Sequence, residues 1–271
     1  MSNYIFEHPE LPWHYDLLSK NPIITFNDVL EYPDIYWDES FLSENPNITW
    51  EIIQENPEIE WDYFAFHYNP NITWEIIQNN PEIEWNYRML SENASITLEL
   101  IKYHPYHDWD ILKLSCNPNL TWDFVYKNNN NDWDFCELSK HSCVTWEIVI
   151  ANPNLNWDFN NLSCNPNITW DIVKDNPDKS WNYTLLSSNP NITWDIVKDN
   201  PDKSWNYTLL SSNPNITWDI VVDVGMDILN DFSQNPNVTW NIVDKNPSYR
   251  WNYKSLSSNP DISFDYLYIL K

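Results

Sequence analysis

Residues 165–188 and 189–212 are the same 24 residues written twice, NPNITWDIVKDNPDKSWNYTLLSS. A repeated period of that length constrains a chain more than any composition does, because each unit must fold as the others fold. The tryptophans carry the frame through the rest of the sequence. They stand at 13, 37, 50, 61, 74, 85, 109, 122, 133, 146, 157, 170, 181, 194, 205, 218, 240 and 251, with spacings that alternate between 11 and 13. Phe26, Leu98, Leu229 and Phe264 fill the gaps in this lattice, and eleven copies fit.

The first half of each unit reads N-P-x-I-T-W-D/E-I-V. A hydroxyl residue precedes every lattice position, from Thr25, Thr49 and Thr73 to Thr239 and Ser263. A hydroxyl there accepts an orphan N–H of a first helical turn. Asp or Glu follows in nine copies, which suits the positive end of a helix. Proline lies four residues earlier in nine copies and ends the preceding helix. The second half reads S/D/E-W-N/D-Y-x-L-L-S. Its expected caps are the residues before the tryptophan: Glu60, Glu84, Asp108, Asp132, Asn156, Ser180 and Ser204. The serine that closes it predicts close approach of neighbouring helices.

Each unit therefore reads as two helices of about two turns joined by Asn-Pro turns. Helices that short do not survive alone; stacked units must share a core, with Ile192, Trp194, Ile196, Val197, Trp205, Tyr207 and Leu210 supplying it in one copy. A β-solenoid is the competing reading of I-T-W-D-I-V, but tight coils use glycine at their corners, and the chain has one Gly. The expected fold is all-α: an α-solenoid of about eleven two-helix repeats, one domain over 1–271, drawn out to a rod or superhelix on the order of 100 Å at 8–10 Å per helix layer. Terminal units are expected to act as caps. Residues 218–240 break the frame with a 22-residue unit that holds Gly225, loses its second Asn-Pro turn and puts Phe232 in the usual leucine place.

The frame N-P-x-x-T-x-x-x-[IVL] followed by D-N-P-D-x-x-W-x-x-x-x-L-S resembles the leucine-rich-variant repeat over about residues 9–271. That resemblance implies α-helices alternating with 3₁₀-helices in a right-handed superhelix. Tryptophan is not typical of that family, and its cluster-binding cysteines have no counterpart here. Abundant Asn, Ile, Tyr, Asp and Trp with scarce Gly, Ala and Arg also resembles the tandem-repeat proteins of giant DNA viruses of the mimivirus type.

Near-absence of glycine excludes phosphate-cradling loops and dinucleotide fingerprints. A net charge of −26 argues against a nucleic-acid partner and for a basic protein one. No apolar run approaches the ~20 residues of a membrane span. The first residues lack the pattern of a signal peptide, so a cytoplasmic, unsecreted protein is expected, and the recurring sequons such as Asn47-Ile48-Thr49 and Asn167-Ile168-Thr169 read as cap chemistry. Cys116, Cys136, Cys143 and Cys164 lack CxxC spacing and read as buried or partly buried free thiols. His104-Pro105-Tyr106-His107-Asp108 falls short of a metal site and reads as a drifted turn. No catalytic constellation, cofactor or metal is expected. The leading expectation is a non-catalytic scaffold that binds a protein partner through an acidic face, with a viral host-interaction role in view. Ala65, Lys113, Glu137 and Asn161, which share one position on the second helix, and Gly225 are its candidate contact residues. A self-assembling virion or filament component and a glycan-binding module using exposed tryptophan are the alternatives.

Overall fold

The computed structural model describes residues 3–129, 132–226, 228–229, 231–260 and 262. Among these it is all-helical, a tandem succession of short helices with about twelve residues from one to the next. First helices begin on the lattice residue, as in Trp50–Glu55, Trp170–Asp175 and Trp194–Asp199. Their threonine caps form as expected: Thr49, Thr73 and Thr169 accept from the backbone N–H three residues on. Thr145 and Thr217 make no such side-chain bond.

The second helices start later than expected. Their caps are the residues after the tryptophan: Asp38, Asn86, Asp110, Asp134, Asp158, Asn182, Asn206 and Asn252. Glu60, Glu84 and their equivalents are not caps. The cause is the tryptophan itself. It lies in the turn, and its indole N–H donates to the backbone carbonyl five residues earlier: Trp61 to Asn56, Trp181 to Asn176, Trp205 to Asn200, at 2.8–3.0 Å. The ring fixes the turn, and the helix can begin only beyond it. The 3₁₀ alternation implied by the family resemblance is not the rule either. Among the described residues only Ala65–Tyr68 and Phe232–Gln234 are 3₁₀, and the other second helices are α.

Two polar ladders run between units. The asparagine of each N-P-x-I-T turn is buried and spans the interface. Asn69 Nδ2 donates to the carbonyls of Ser43 (2.9 Å), Asn45 (3.1 Å) and Ile48 (3.1 Å), while its Oδ1 accepts from Asn71 N–H. Asn45, Asn117, Asn165, Asn189 and Asn235 repeat the set. His141 takes one place in the ladder. Its Nε2–H donates to Asn117 O at 3.0 Å, and its Nδ1 accepts from Cys143 N–H. The sequon asparagines form an outer rung, with Asn47 Nδ2 donating to Pro22 O and Ile24 O. The serine ladder does more than let helices approach. Ser163 Oγ donates to Phe159 O and accepts the backbone N–H of Asn182 in the next unit. No buried side-chain polar atom among the described residues lacks a partner.

The ends of the array meet. His14 N–H donates to Ser257 Oγ at 3.1 Å, and Asn21 Nδ2 donates to the carbonyls of Ser257 (2.9 Å) and Asn259 (3.0 Å). These are the ladder bonds of any interior pair, in the same register. The rings agree: Trp13 packs against Trp240 (5.4 Å) and Tyr253 (5.0 Å), as Trp205 packs on Trp170 (5.9 Å) and Tyr183 (5.7 Å). Helix Asn3–Glu7 serves as the first helix of the unit that Asn259–Ile262 opens. The expected rod with capped ends is therefore closed into a ring among the described residues, by the same bonds that join neighbouring units elsewhere.

Second helices touch their neighbours, as Glu39–Glu44 touches Ala65–Tyr68 and Phe135–Lys140 touches Phe159–Ser163. Consecutive first helices leave grooves instead, one between Trp50–Glu55 and Trp74–Asn79. In a ring the tighter spacing belongs to the smaller radius, so second helices line the inside and first helices the outside. Eleven helices at about 9 Å spacing describe a circle about 30 Å across.

His67 replaces the ladder serine in one unit. Its ring reproduces the serine's two bonds: Nδ1–H donates to Phe64 O, and Nε2 accepts the Asn86 N–H, both at 2.7 Å. That requires a neutral ring, and burial lowers its pKa from 6.5 against the opposing pull of Phe64 O and Asp62. A depressed folded pKa means that the unfolded chain binds the proton more readily. The contribution is thus complete above pH 6.5 and is lost as pH falls from there toward the lower folded value. His67→Ser should restore the common ladder and remove that loss. In urea titrations at pH 7.5 and pH 5 the wild type is expected to lose more stability than the variant, and equal losses would contradict a neutral, accepting His67.

Candidate interaction surface

Of the candidate contact residues Ala65 is buried (3% exposed) and offers nothing to a partner, and Lys113, Glu137 and Asn161 are partly exposed and bonded within the array. Lys113 Nζ holds Glu92 of the preceding unit at 2.7 Å. Glu137 pairs with Lys140 at 2.8 Å and accepts from Cys116 Sγ at 3.3 Å. Asn161 Nδ2 donates to Cys136 O. Their shared position faces the neighbouring unit, so its variation is a matter of interface pairing. Gly225 stands apart from them at the end of helix Trp218–Val224, with φ of +113°. A Cβ there would meet nothing within 4 Å, so the cost of a side chain is that of the backbone alone. Gly225→Ala should destabilise by about 1–2 kcal/mol, read in a urea titration; no change would mean that the turn relaxes to negative φ.

The irregular unit keeps the ladder despite its two missing residues. Leu229 and Phe232 are fully buried in the tryptophan and leucine places. Tyr249 fills the deficit: its hydroxyl accepts Phe232 N–H (3.0 Å) and donates to Leu229 O (2.9 Å). Asn235 still reaches Ser211, Asn213 and Ile216.

The thiols are free, though Cys116 and Cys136 are exposed where burial was expected. Although Cys116 is exposed as a residue, desolvation of its sulfur, which sits against Glu137, and the bond to that carboxylate push it up to about 11, and burial does the same to Cys143, so neither is a thiolate at neutral pH. No group of three or more metal-ligating side chains occurs among the described residues. None of their helices is long and apolar enough to cross a membrane. The tryptophans divide by role. Most of those in the second halves, such as Trp61, Trp85 and Trp205, are buried, while most of those starting first helices are half-buried at groove walls.

No protein-family model matches the chain, and neither a curated protein nor a solved structure does. The surface must be read from its own chemistry, and charge supplies the first distinction. Residues 21–87 hold 14 acidic residues and no Lys or Arg. Glu31, Asp34, Glu51, Glu55, Glu58, Glu60, Glu75, Glu82 and Glu84 are exposed there. In the duplicated units the acids are paired instead: Asp171 with Lys174 and Asp195 with Lys198, each at 2.7 Å. The outer grooves of the acidic arc combine carboxylates with aromatic walls. Glu51 and Glu75 flank Trp50 in one, and Glu55 lies with Phe26 and Leu30 in another. A count of basic residues along the sequence finds this arc; net charge alone hides it.

Proposed function

We propose that the chain is a non-catalytic scaffold ring that binds a basic protein on the outer face of residues 21–87. The run of 14 acids with no Lys or Arg carries this reading. Carboxylates repeated at the helix spacing give a field several kT deep along one arc, which steers a cationic partner and holds it until salt screens it. Ring closure weighs against the filament alternative, because the two ends that would join copies end to end are used within one chain. The half-burial of the groove tryptophans weighs against a glycan ladder, which needs ring faces open for stacking. By its likeness in composition to giant-virus repeat proteins, the partner is proposed to be a host protein and the site of action the host cytoplasm.

The test is capture of basic proteins on the immobilised chain at low and high salt. Neutralising Glu51, Glu55 and Glu58 to glutamine should weaken capture strongly, and the same treatment of Asp171, Asp175 and Asp178 should weaken it little. Equal effects of the two sets, or capture that ignores salt, would defeat the reading.

A further inference from the structure

One turn on this ring differs from every other in its aromatic content. Neighbouring units carry Asn80-Pro81-Glu82-Ile83 or Asn152-Pro153-Asn154-Leu155 where this one carries His104-Pro105-Tyr106-His107. It leans on the preceding unit. The His107 ring stacks on Tyr87 with centroids 3.8 Å apart and planes 15° from parallel. Trp74 lies 4.6 Å from the His104 ring and meets His107 edge-on at 5.5 Å. Tyr106 projects outward, 74% exposed, with its hydroxyl bonded to His104 Nδ1 at 2.7 Å. Trp74, Tyr87, Tyr106 and His107 together with Glu84 wall an open cleft of about 490 Å³.

The chemistry of these walls selects for positive charge. The faces of Trp and Tyr carry negative electrostatic potential and attract ammonium and guanidinium groups, Arg more often than Lys. Glu84 adds a carboxylate. No Lys or Arg lines the cleft, and Arg88, the base closest in sequence, is held by Asp108 at 2.8 Å. Burial and the neighbouring His104 lower the His107 pKa below 6.5, so its ring brings no charge at pH 7. The cleft also lies where the acidic arc ends.

We propose that this cleft is a receptor for one guanidinium side chain of a protein partner, seated against Trp74, Tyr87 and Tyr106 and paired with Glu84. The proposal rests on the basic-partner reading for the class of macromolecule, and adds the pocket that anchors it. Tryptophan, tyrosine and arginine are enriched among the interface residues that carry most of the binding energy.

The experiment is a tryptophan-fluorescence titration of the full chain with an arginine-rich peptide and with its citrulline counterpart, which keeps the shape and removes the charge. The variant His104→Asn/Tyr106→Asn/His107→Leu rewrites the turn as Asn152–Leu155, a sequence this fold already accommodates; far-UV circular dichroism checks it. The arginine peptide is expected to bind the wild type at least tenfold more tightly than the citrulline peptide, and the triple variant at least tenfold more weakly than the wild type. Equal affinity for the two peptides overturns the cation preference. Equal, salt-sensitive binding of the arginine peptide by wild type and variant overturns the cleft while leaving the acidic arc standing. No binding by either protein overturns both. A response to neutral oligosaccharides that the triple variant loses would make the cleft a sugar site and overturn the proposal.

Discussion

Replacing Trp13 with alanine is expected to open the ring. Trp13 is buried, donates its indole N–H to His8 O at 2.9 Å and packs on Trp240 and Tyr253 across the junction of the two ends. Removing a buried tryptophan costs about 3–5 kcal/mol wherever it sits. The seam differs from every other interface in its response to that loss. Between interior units the chain itself bridges the gap, so a weakened interface stays closed at high effective concentration. At the seam the two ends of the array meet, and among the described residues packing and the bonds of His14 and Asn21 to Ser257 and Asn259 hold them. Trp205→Ala is the control, since Trp205 has the same burial and the same indole bond and packs edge-on against Tyr183 and tilted against Trp170 within the array. Both variants should melt earlier. Only Trp13→Ala should raise the radius of gyration and maximum dimension in small-angle X-ray scattering before the helices melt. An unchanged scattering profile, or the same expansion in both, would mean that the seam is not the point of closure.

The tandem array of short helices was legible in the sequence, and its closure was not. Threonine caps, Asn-Pro stops and the 11/13 lattice predict short helices in tandem, because those signals act within a few residues. Tyr4-Ile5-Phe6-Glu7-His8-Pro9 matches the later part of a first half-unit and lacks its Asn-Pro opening, while Asn259-Pro260-Asp261-Ile262 supplies that opening. Only the accumulated rotation of every repeat decides whether the two segments meet, and no single window of sequence contains that angle. The second-helix caps were misplaced for a more local reason. Glu60 and Asp62 flank Trp61; the shorter Asp62 is the better cap, and the indole bond that holds the tryptophan in the turn favours the same choice. Ala65, Lys113, Glu137 and Asn161 vary among repeats as contact residues would. Variation between repeats also arises where neighbouring units pair, as Lys113 does with Glu92, and sequence spacing cannot separate the two.

Asn189→Ala is expected to be the most damaging single polar substitution. Asn189 is fully buried, and its Nδ2 donates to the carbonyls of Ser163 (2.9 Å), Asn165 (2.9 Å) and Ile168 (3.2 Å) while its Oδ1 accepts Asn191 N–H (2.8 Å). One amide therefore satisfies four backbone groups, two of them in the preceding unit and one, Ser163 O, at the end of the unit before that. Asn165 O keeps Ile168 N–H and Ile168 O keeps Asn191 Nδ2, so alanine strands chiefly Ser163 O and Asn191 N–H, and each stranded group costs about 1–3 kcal/mol. Partial relaxation and entry of water limit the sum, so a loss of about 3–5 kcal/mol is expected, comparable to deleting a tryptophan. Asn191 is the control. Its Nδ2 donates to Pro166 O and Ile168 O at the surface, where water can replace it, and Asn191→Ala should cost about 1 kcal/mol. Urea unfolding of both variants measures the difference, and hydrogen exchange locates it. Loss of protection in Asn189→Ala should concentrate at the Asn165–Ile168 and Asn189–Ile192 turns. Nearest-neighbour coupling carries the damage one unit in each direction and no further, as in other arrays where a unit touches only its neighbours. If the two variants lose the same stability, the buried ladder contributes no more than a surface bond, and the units are held by their apolar faces alone.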